Sequence, residues 1–475
     1  MDQSPTARQT GETICALATP PGTSAIAVIR ISGPEAFHVL NRVFKPKNKE
    51  VDIQTIRTHM LRFGEIFDSE GVVDDVLVSL FKSPHSYTGE DAVEISCHGS
   101  EYIQQRILEL LLGKGLRLAT PGEFTLRAFL NGKFDLSQAE AVADLIASQS
   151  KASHDLALNQ MRGVFSSRIK ELRQQLVNFA SLIELELDFS EEDVEFANRS
   201  DLNRLLGELG SEVETLIGSF SYGQVLKRGI PVTIVGKPNV GKSTLLNAIL
   251  NEERAIVSEI PGTTRDAIED TIVLKGVAFR FIDTAGLRPS SDRIETIGIE
   301  RTYEKIDQAK IILYVFDVNE MKCNEVKETL AEFKAHIETL AGGKEKEKKF
   351  ILVANKTDLL VESPPDFKSL VEMDCIFISA KRKENINLIV DHLTGYMEQE
   401  SLSDNAIVSN VRHFESLTRA REALQNIRKG FDENRPSDLI AIDIHQALHH
   451  LGEITGEITN DEILENIFSR FCIGK

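Results

Sequence analysis

No apolar run in this chain of 475 residues approaches the ~20 consecutive residues that a membrane-spanning helix needs. The opening stretch, residues 1–11, is polar and lacks the apolar centre of a secretory signal. A soluble, cytoplasmic protein with no membrane partner is the expectation. Cysteine is scarce: Cys15, Cys97, Cys323, Cys375 and Cys472 are odd in number and widely spaced. No CxxC and no Cys/His cluster occurs, which argues against a zinc ribbon or a disulfide framework and for reduced thiols, most of them small core residues. Basic charge is in deficit, with 54 Lys and Arg against 73 Asp and Glu and a net charge of −19. Such a chain does not coat nucleic acid or anionic lipid indiscriminately, so any RNA contact has to come from a local site. Proline is missing from Glu123 through Arg228.

What is present divides the chain. Apolar residues make up 41%, enough for more than one core. Residues 12–130 mix strand patterns (26–31, 76–81, 92–95) with a helical pattern over 102–112, separated by turn signals such as Thr19-Pro20-Pro21-Gly22. From Ser137 to Gly218, in the proline-free stretch, apolar residues recur at helical spacing: Leu156, Met161 and Val164, then Leu172, Leu176, Phe179 and Ile183. Between Gly229 and Thr394 strands (232–235, 278–282, 311–316, 350–353) alternate with helices, as in a doubly wound α/β domain. Residues 342–346 read as a charged surface loop. After Asn405 helices return, the last one capped near Thr459 or Asn460 with Asp461 and Glu462 in its first turn. The simplest organisation is an α/β module inserted into a helical domain.

Gly236-Lys237-Pro238-Asn239-Val240-Gly241-Lys242-Ser243 fits GxxxxGK[ST], follows a strand and opens a helical run over 244–250. In that context the loop's amides and the helix N-terminus point at phosphates, Lys242 reaches the β- and γ-phosphates, and Ser243 ligates Mg²⁺. Asp283-Thr284-Ala285-Gly286 follows the next apolar run: Asp283 holds Mg²⁺ through water and the Gly286 amide senses the γ-phosphate. Gly262-Thr263-Thr264 lies between them, where a first switch belongs. Asn355-Lys356-Thr357-Asp358 follows a later strand. A carboxylate there accepts two hydrogen bonds from guanine N1-H and its exocyclic amine, which adenine cannot supply, so Asp358 selects GTP over ATP. Ser379-Ala380-Lys381 finishes the base pocket. Leu287 stands where a Ras-like water-orienting glutamine would follow Gly286, so another group must orient the water, and Glu295 is the candidate.

These motifs, with Gly262-Thr263-Thr264-Arg265-Asp266 and Asp283-Thr284-Ala285-Gly286-Leu287-Arg288, resemble the MnmE (TrmE) tRNA-modification GTPases. Ala18-Thr19-Pro20-Pro21-Gly22, Arg30-Ile31-Ser32-Gly33, Tyr87-Thr88-Gly89-Glu90-Asp91, Pro121-Gly122-Glu123-Phe124 and the run from Arg127 to Lys133 resemble that family's N-terminal domain, and Phe471-Cys472-Ile473-Gly474-Lys475 is similar to its C-terminal signature. The resemblance implies a multidomain α/β plus α fold: an N-terminal α+β folate-binding and homodimerising domain (1–131), a helical bundle domain in two parts (132–224 and 399–475), and an inserted Ras-like P-loop GTPase domain (225–398). It implies an FAD-dependent partner, MnmG. With that partner, such proteins add an aminomethyl or carboxymethylaminomethyl group at C5 of the wobble uridine of certain tRNAs. The carbon comes from a tetrahydrofolate derivative (the 5-formyl or 5,10-methylene form), and GTP hydrolysis depends on K⁺ and accompanies G-domain dimerisation.

The GTP-binding residues so implied are Asn239, Val240, Gly241, Lys242, Ser243 and Thr244 in the phosphate loop; Ser258, Glu259, Ile260, Pro261, Gly262, Thr263 and Thr264 around the first switch; Asp283, Thr284, Ala285 and Gly286; Asn355, Lys356, Thr357 and Asp358; and Ser379, Ala380 and Lys381. Asn239, Ser258, Ile260 and Thr263 resemble K⁺ ligands, Ser243 and Thr264 the Mg²⁺ ligands, and Glu295 the acid that orients water. Arg30, Glu94, Lys133 and Lys475 resemble folate contacts, and Cys472 the signature cysteine with a catalytic part. For these to act together the C-terminal helix has to pack near the N-terminal domain, within one subunit or across a dimer. Two segments depart from the family by having less glycine: Ser96-Cys97-His98-Gly99-Ser100 and Thr23-Ser24-Ala25.

Cys472-Ile473-Gly474-Lys475 formally reads as a prenylation box, but its last two residues are poor for that role and no polybasic run precedes it. The main alternative function is a switch GTPase in ribosome assembly, which would carry a basic RNA-binding appendage; here the appendages are acidic. A membrane-linked GTPase is disfavoured by the lack of an anchor.

Overall fold

The computed structural model describes residues 11–47, 58–188, 199–252, 270–282, 298–340, 348–360, 367–399, 406–433, 435–469 and 471–475. It forms two compact units. One comprises Met1–Ile146, Leu158–Val213 and Glu415–Lys475, the other Ala147–Ala157 and Glu214–Phe414.

The first unit begins with β1 (Ile14–Leu17), β2 (Ile26–Ser32), α1 (Ala36–Val43), β3 (Phe44–Pro46), β4 (Met60–Phe67), β5 (Val72–Phe81), β6 (Ala92–His98), α2 (Glu101–Leu112) and β7 (Arg117–Leu118). The strands make one sheet in the order β3-β4-β5-β6-β2-β1-β7, in which only the β1–β7 pairing is parallel. Side chains alternate across such a sheet. Val76, Val78 and Leu80 of β5 face inward with Ile29, Ile31, Val93 and Ile95, and the apolar sides of α1 and α2 (Val39, Leu40, Ile107, Leu111) close that core.

Next come α3 (Glu123–Leu130), α4 (Leu136–Ala147), α5 (Lys151–Met161), α6 (Val164–Asp188) and α7 (Arg199–Arg228). Lacking proline, this stretch carries long helices without an internal break. Glu123 and Arg127 lie one turn apart on α3 and are both buried. The Glu123 carboxylate accepts from Arg117 Nη2 (2.7 Å), Arg127 Nη2 (2.8 Å) and the Thr120 amide (2.9 Å). Arg127 Nη1 donates to the Glu12 carbonyl (2.8 Å) and to Glu90, whose carboxylate also takes the Ser32 hydroxyl at 2.7 Å. Burial alone would raise the Glu123 pKa. The bonds from Arg117, Thr120 and Arg127 outweigh it and hold the carboxyl at about 2.

Removing one partner of a buried pair strands the other charge. Glu123→Gln is therefore expected to cost about 3 kcal/mol, read as a lower urea midpoint. A depressed folded-state pKa stabilises above the unfolded value, so this contribution is complete above about 4.5 and drains away as pH falls toward about 2. The wild-type midpoint should drop across that window more than that of the Gln variant.

The second unit holds β8 (Ile230–Val235), α8 (Lys242–Glu252), β9 (Asp270–Leu274), β10 (Val277–Phe281), α9 (Gly298–Gln308), β11 (Ile311–Asp317), α10 (Cys323–Leu340), β12 (Lys349–Asn355), α11 (Phe367–Glu372), β13 (Ile376–Phe377) and α12 (Ile386–Gln399). Its sheet runs β13-β12-β11-β8-β10-β9, parallel throughout except for the β9–β10 hairpin. All seven residues of β11 are buried, as expected for a central parallel strand covered on both faces. One core lies under α8 and α12, with Leu245, Ile249, Ile389 and Leu393; the other lies under α9 and α10, with Ile306, Val326 and Phe333. This is a doubly wound P-loop architecture, whose ligand crevice opens at the carboxyl ends of the strands.

The last helices are α13 (Val411–Asp432), α14 (Ser437–Thr455) and α15 (Asp461–Phe468). Within the first unit α14 packs along α6. The Asn460 side chain caps α15, accepting the Ile463 amide at 2.8 Å, and Asp461 and Glu462 occupy its first turn. Among the described residues no helix is long and apolar enough to cross a membrane.

Candidate functional site

The loop between β8 and α8 curls around its own backbone. Asn239 sits at φ 61°, left-handed for a residue with a side chain, and Gly241 at φ 97°. A Cβ on Gly241 would come within 2.3 Å of the Asn355 amide nitrogen, so only glycine lets that side chain lie against the loop. Lys242 Nζ donates to the Gly236 and Lys237 carbonyls, both at 2.8 Å, and so spans the mouth of the loop. Lys242, Ser243 and Thr244 form the first turn of α8, where amides have no intrahelical acceptor and the helix dipole is positive. The first bond of the helix runs from the Leu245 amide to Gly241 O at 2.9 Å.

The base side is built from the ends of β12 and β13. Asn355 is buried and works in two directions: Nδ2 donates to Val240 O at 2.8 Å, and Oδ1 accepts the Ala380 amide at 3.0 Å. It thereby ties the phosphate loop to the Ser379-Ala380-Lys381 segment. Lys356, at φ 68°, turns the chain and pairs with buried Asp317 at 2.8 Å. The Thr357 amide bonds Ile378 O at 3.1 Å. Asp358 accepts the Ser379 hydroxyl at 2.7 Å. That bond, aided by the positive charges of Arg382 and Lys381, holds its carboxyl below the usual carboxylate range, so it stands ionised as a two-oxygen acceptor.

The structure thus brings Asn239, Val240, Gly241, Lys242, Ser243 and Thr244 together with Asn355, Lys356, Thr357, Asp358, Ser379, Ala380 and Lys381. Ser258, Glu259, Ile260, Pro261, Gly262, Thr263, Thr264, Asp283, Thr284, Ala285, Gly286 and Glu295 lie outside the described residues, as does the 342–346 loop. The linking role of Asn355 was not read from the sequence, where it appeared only as the first residue of the base motif.

A second cluster forms where the chain's end meets β1 and β2. The Phe468 and Phe471 rings meet at 5.3 Å, tilted by 42°, and are buried with Leu126, Leu136 and Leu464. Beyond them the tail turns back: the Gly122 amide donates to Cys472 O at 3.4 Å, and Arg30 Nη1 donates to Gly474 O at 3.3 Å. Gly474, at φ 92°, lies so near β1 that a Cβ would be 2.4 Å from Leu17 O. Arg30 and Glu94 are directly cross-strand and share a 2.7 Å ion pair. The Arg30 guanidinium also lies over the rings of Tyr87 (5.4 Å) and Phe124 (5.6 Å). Burial, then the Arg30 charge, pushes the Lys475 pKa below its ordinary value, with Glu94 opposing.

Arg30, Glu94 and Lys475, remote in sequence, therefore lie close together within a single chain. Lys133 donates to Pro84 O at 3.0 Å, and the ring of its neighbour Phe134 meets Tyr87 at 5.7 Å. Cys472 is exposed, whereas the other cysteines are buried; burial pushes the thiols of Cys15 and Cys375 up to about 12 and that of Cys97 to about 11. Tyr87 and Phe124, whose rings both lie near the Arg30 guanidinium, belong to motifs noted in the sequence but were assigned no part there.

Two family models cover most of the chain. One, described as GTP-binding protein TrmE N-terminus, matches residues 13–133, and the other, MnmE helical domain, matches residues 136–472. The chain belongs to the MnmE (TrmE) family. Full-length relatives agree with that placement. The tRNA modification GTPase MnmE of Flavobacterium johnsoniae is 54% identical over 470 residues, 98% of this chain and 99% of its own length. Those of Christiangramia forsetii and Cytophaga hutchinsonii are each 52% identical, over 474 and 466 residues, with 98% of this chain covered and 99% and 98% of their own. A solved G domain of the T. maritima FeoB iron transporter aligns with 35% of this chain and 98% of its own, at 21% identity and a TM-score of 0.25, too low a likeness to carry weight. The MnmE-type architecture of this chain is thus an N-terminal α+β domain, a helical bundle and an inserted P-loop G domain.

Proposed function

We propose that this member of the MnmE family is a GTP hydrolase that takes part in tRNA modification. The observation that carries the reading is a guanine-type base loop in the same chain as a C-terminal tail that bears an exposed thiol and whose Gly474 carbonyl is held by Arg30 of the Arg30–Glu94 pair. In this reading residues 1–131 bind folate and dimerise, 132–224 and 399–475 form the helical domain, and 225–398 form the G domain.

Guanine is chosen by Asp358, which the Ser379 hydroxyl orients so that both carboxylate oxygens meet N1-H and the exocyclic amine. The phosphates lie over the loop from Asn239 to Thr244, with Lys242 released from its own carbonyls to reach them. Ser243, a hard hydroxyl donor in the first turn of α8, suits Mg²⁺, and Thr264 completes the pair. Asn239, held left-handed at the loop's crest, suits K⁺ with Ser258, Ile260 and Thr263. When bound, these cations offset charge on the transferring phosphoryl group. Glu295 orients the attacking water.

The tail site supplies the second half. Glu94 pairs with donors on a pterin edge, and Arg30, Lys475 and Lys133 offer cations to anionic groups of a tetrahydrofolate. That cofactor provides the carbon for C5 of the wobble uridine, in concert with the FAD-dependent partner MnmG. A homodimer is supported by an outward apolar row. Leu61, Phe63 and Leu77 are 56%, 50% and 41% exposed on the sheet face that carries Arg30 and Glu94, Leu61 in the cross-strand line Leu61–Ser79–Glu94–Arg30 and Phe63 and Leu77 in the neighbouring line Phe63–Leu77–Ser96–Val28.

GTP turnover tests the hydrolytic half. Exchange of K⁺ for Na⁺ should slow it by at least ~10-fold, the effect of about 1.4 kcal/mol of lost transition-state stabilisation. Glu295→Ala should lower kcat with GTP affinity unchanged, as for a group acting in the transition state. Equal rates in both salts would remove K⁺ from the mechanism.

A further inference from the structure

His449 and His450 are consecutive residues of α14, yet both imidazoles turn to one carboxylate. His449 Nε2 lies 3.3 Å from Glu453 Oε1, and His450 Nδ1 lies 3.3 Å from Glu453 Oε2. Helix geometry allows this because 449 and 453 are four residues apart and 450 and 453 three apart. The three ligand atoms all fall within 4.8 Å of one another. Both separations exceed the ~2.7–2.9 Å of a charge-assisted N–H···O bond. An ion bonded at ~2.0–2.1 Å to one atom of each residue needs those atoms about 3.3–3.4 Å apart, which a small adjustment within the observed 4.8 Å spread supplies.

The surroundings also suit an ion. Glu453 is half-buried and accepts the Ser416 hydroxyl at 3.4 Å, so its carboxylate is held from the α13 side. His449 is half exposed, which leaves an approach from solvent. One turn earlier on the same helix, His445 Nε2 stands 3.3 Å from Glu184 of α6. Two imidazoles and a carboxylate favour Zn²⁺-class divalent transition metals over Mg²⁺ or Ca²⁺, which prefer all-oxygen shells. These residues are remote in sequence from the nucleotide loops.

We propose that His449, His450 and Glu453 form a binding site for a divalent transition-metal ion of the zinc class, with three protein ligands and an open fourth position. The ion bridges two successive turns of α14.

The test uses the full-length protein, stripped with a chelator and titrated with Zn²⁺ against a chromophoric competitor, and separately with Co²⁺, whose visible absorption reports tetrahedral coordination. Wild type should take up one tightly bound equivalent and give the tetrahedral Co²⁺ spectrum. His449→Ala, His450→Ala and Glu453→Gln should each weaken that equivalent at least tenfold and abolish the spectrum. His336→Ala, which removes an imidazole paired with Asp307 in the other unit, should leave both unchanged. Far-UV circular dichroism and unaltered GTP hydrolysis show that the variants are folded. Absence of a tight equivalent in wild type, or its persistence in all three variants, overturns the assignment.

Discussion

Asp358→Asn is expected to lower GTP affinity by about two to four orders of magnitude, since each charge-assisted bond it removes contributes ~1.5–3 kcal/mol. The amide keeps one acceptor and presents a donor to a guanine edge that has only donors there. Xanthosine triphosphate, which has a carbonyl in place of the exocyclic amine, should gain affinity in the same variant. Ser379 strengthens the prediction: its hydroxyl fixes the carboxylate from one side, so the side chain has little freedom to find another arrangement. Titration with a fluorescent guanine nucleotide gives the answer, and unchanged GTP binding would remove Asp358 from the base pocket.

Deleting residues 471–475 should abolish tRNA modification and weaken tetrahydrofolate binding while GTP hydrolysis is largely kept. The deletion removes the Cys472 thiol, the Gly474 carbonyl held by Arg30 and the Lys475 ammonium, all in the first unit, whereas the nucleotide loops belong to the other. Because Phe471 is also buried against Phe468, the deletion has a packing cost of its own. Cys472→Ser separates the two effects, since it touches an exposed side chain only. That variant should bind folate and GTP normally yet modify tRNA poorly. A truncated protein that modifies tRNA at the wild-type level would show that the tail takes no part.

The nucleotide half of this picture was legible because its chemistry is local. A loop of eight residues with glycines at fixed places can cradle phosphates only between a strand and a helix, and both flanks announced themselves by apolar runs. The Asn460 cap and the acidic first turn of α15 were legible for the same reason. Contacts between distant segments were harder. Nothing near Asn355 says that its amide will reach Val240, because that approach is set by the pairing of β12, β11 and β8 and by the missing Cβ of Gly241. The meeting of Gly474 with Arg30 spans most of the chain and was available only through family resemblance. The buried Glu123–Arg127–Glu90 network was not foreseen: its carboxylates and guanidinia look like surface residues until α3 is packed on the sheet. The His449–His450–Glu453 group escaped notice because adjacent histidines on an amphipathic helix that also carries Asp438, Asp443, His445 and Gln446 look like ordinary polar-face residues.

This chain is proposed to couple a GTPase to modification of the tRNA wobble uridine. Mass spectrometry of nucleosides from tRNA of cells lacking the protein tests it most directly. The wobble uridines carrying aminomethyl-type groups at C5 should disappear, return with the wild-type chain, and fail to return with Asp358→Asn or Cys472→Ser. A nucleoside profile identical in the presence and absence of the protein would contradict the account.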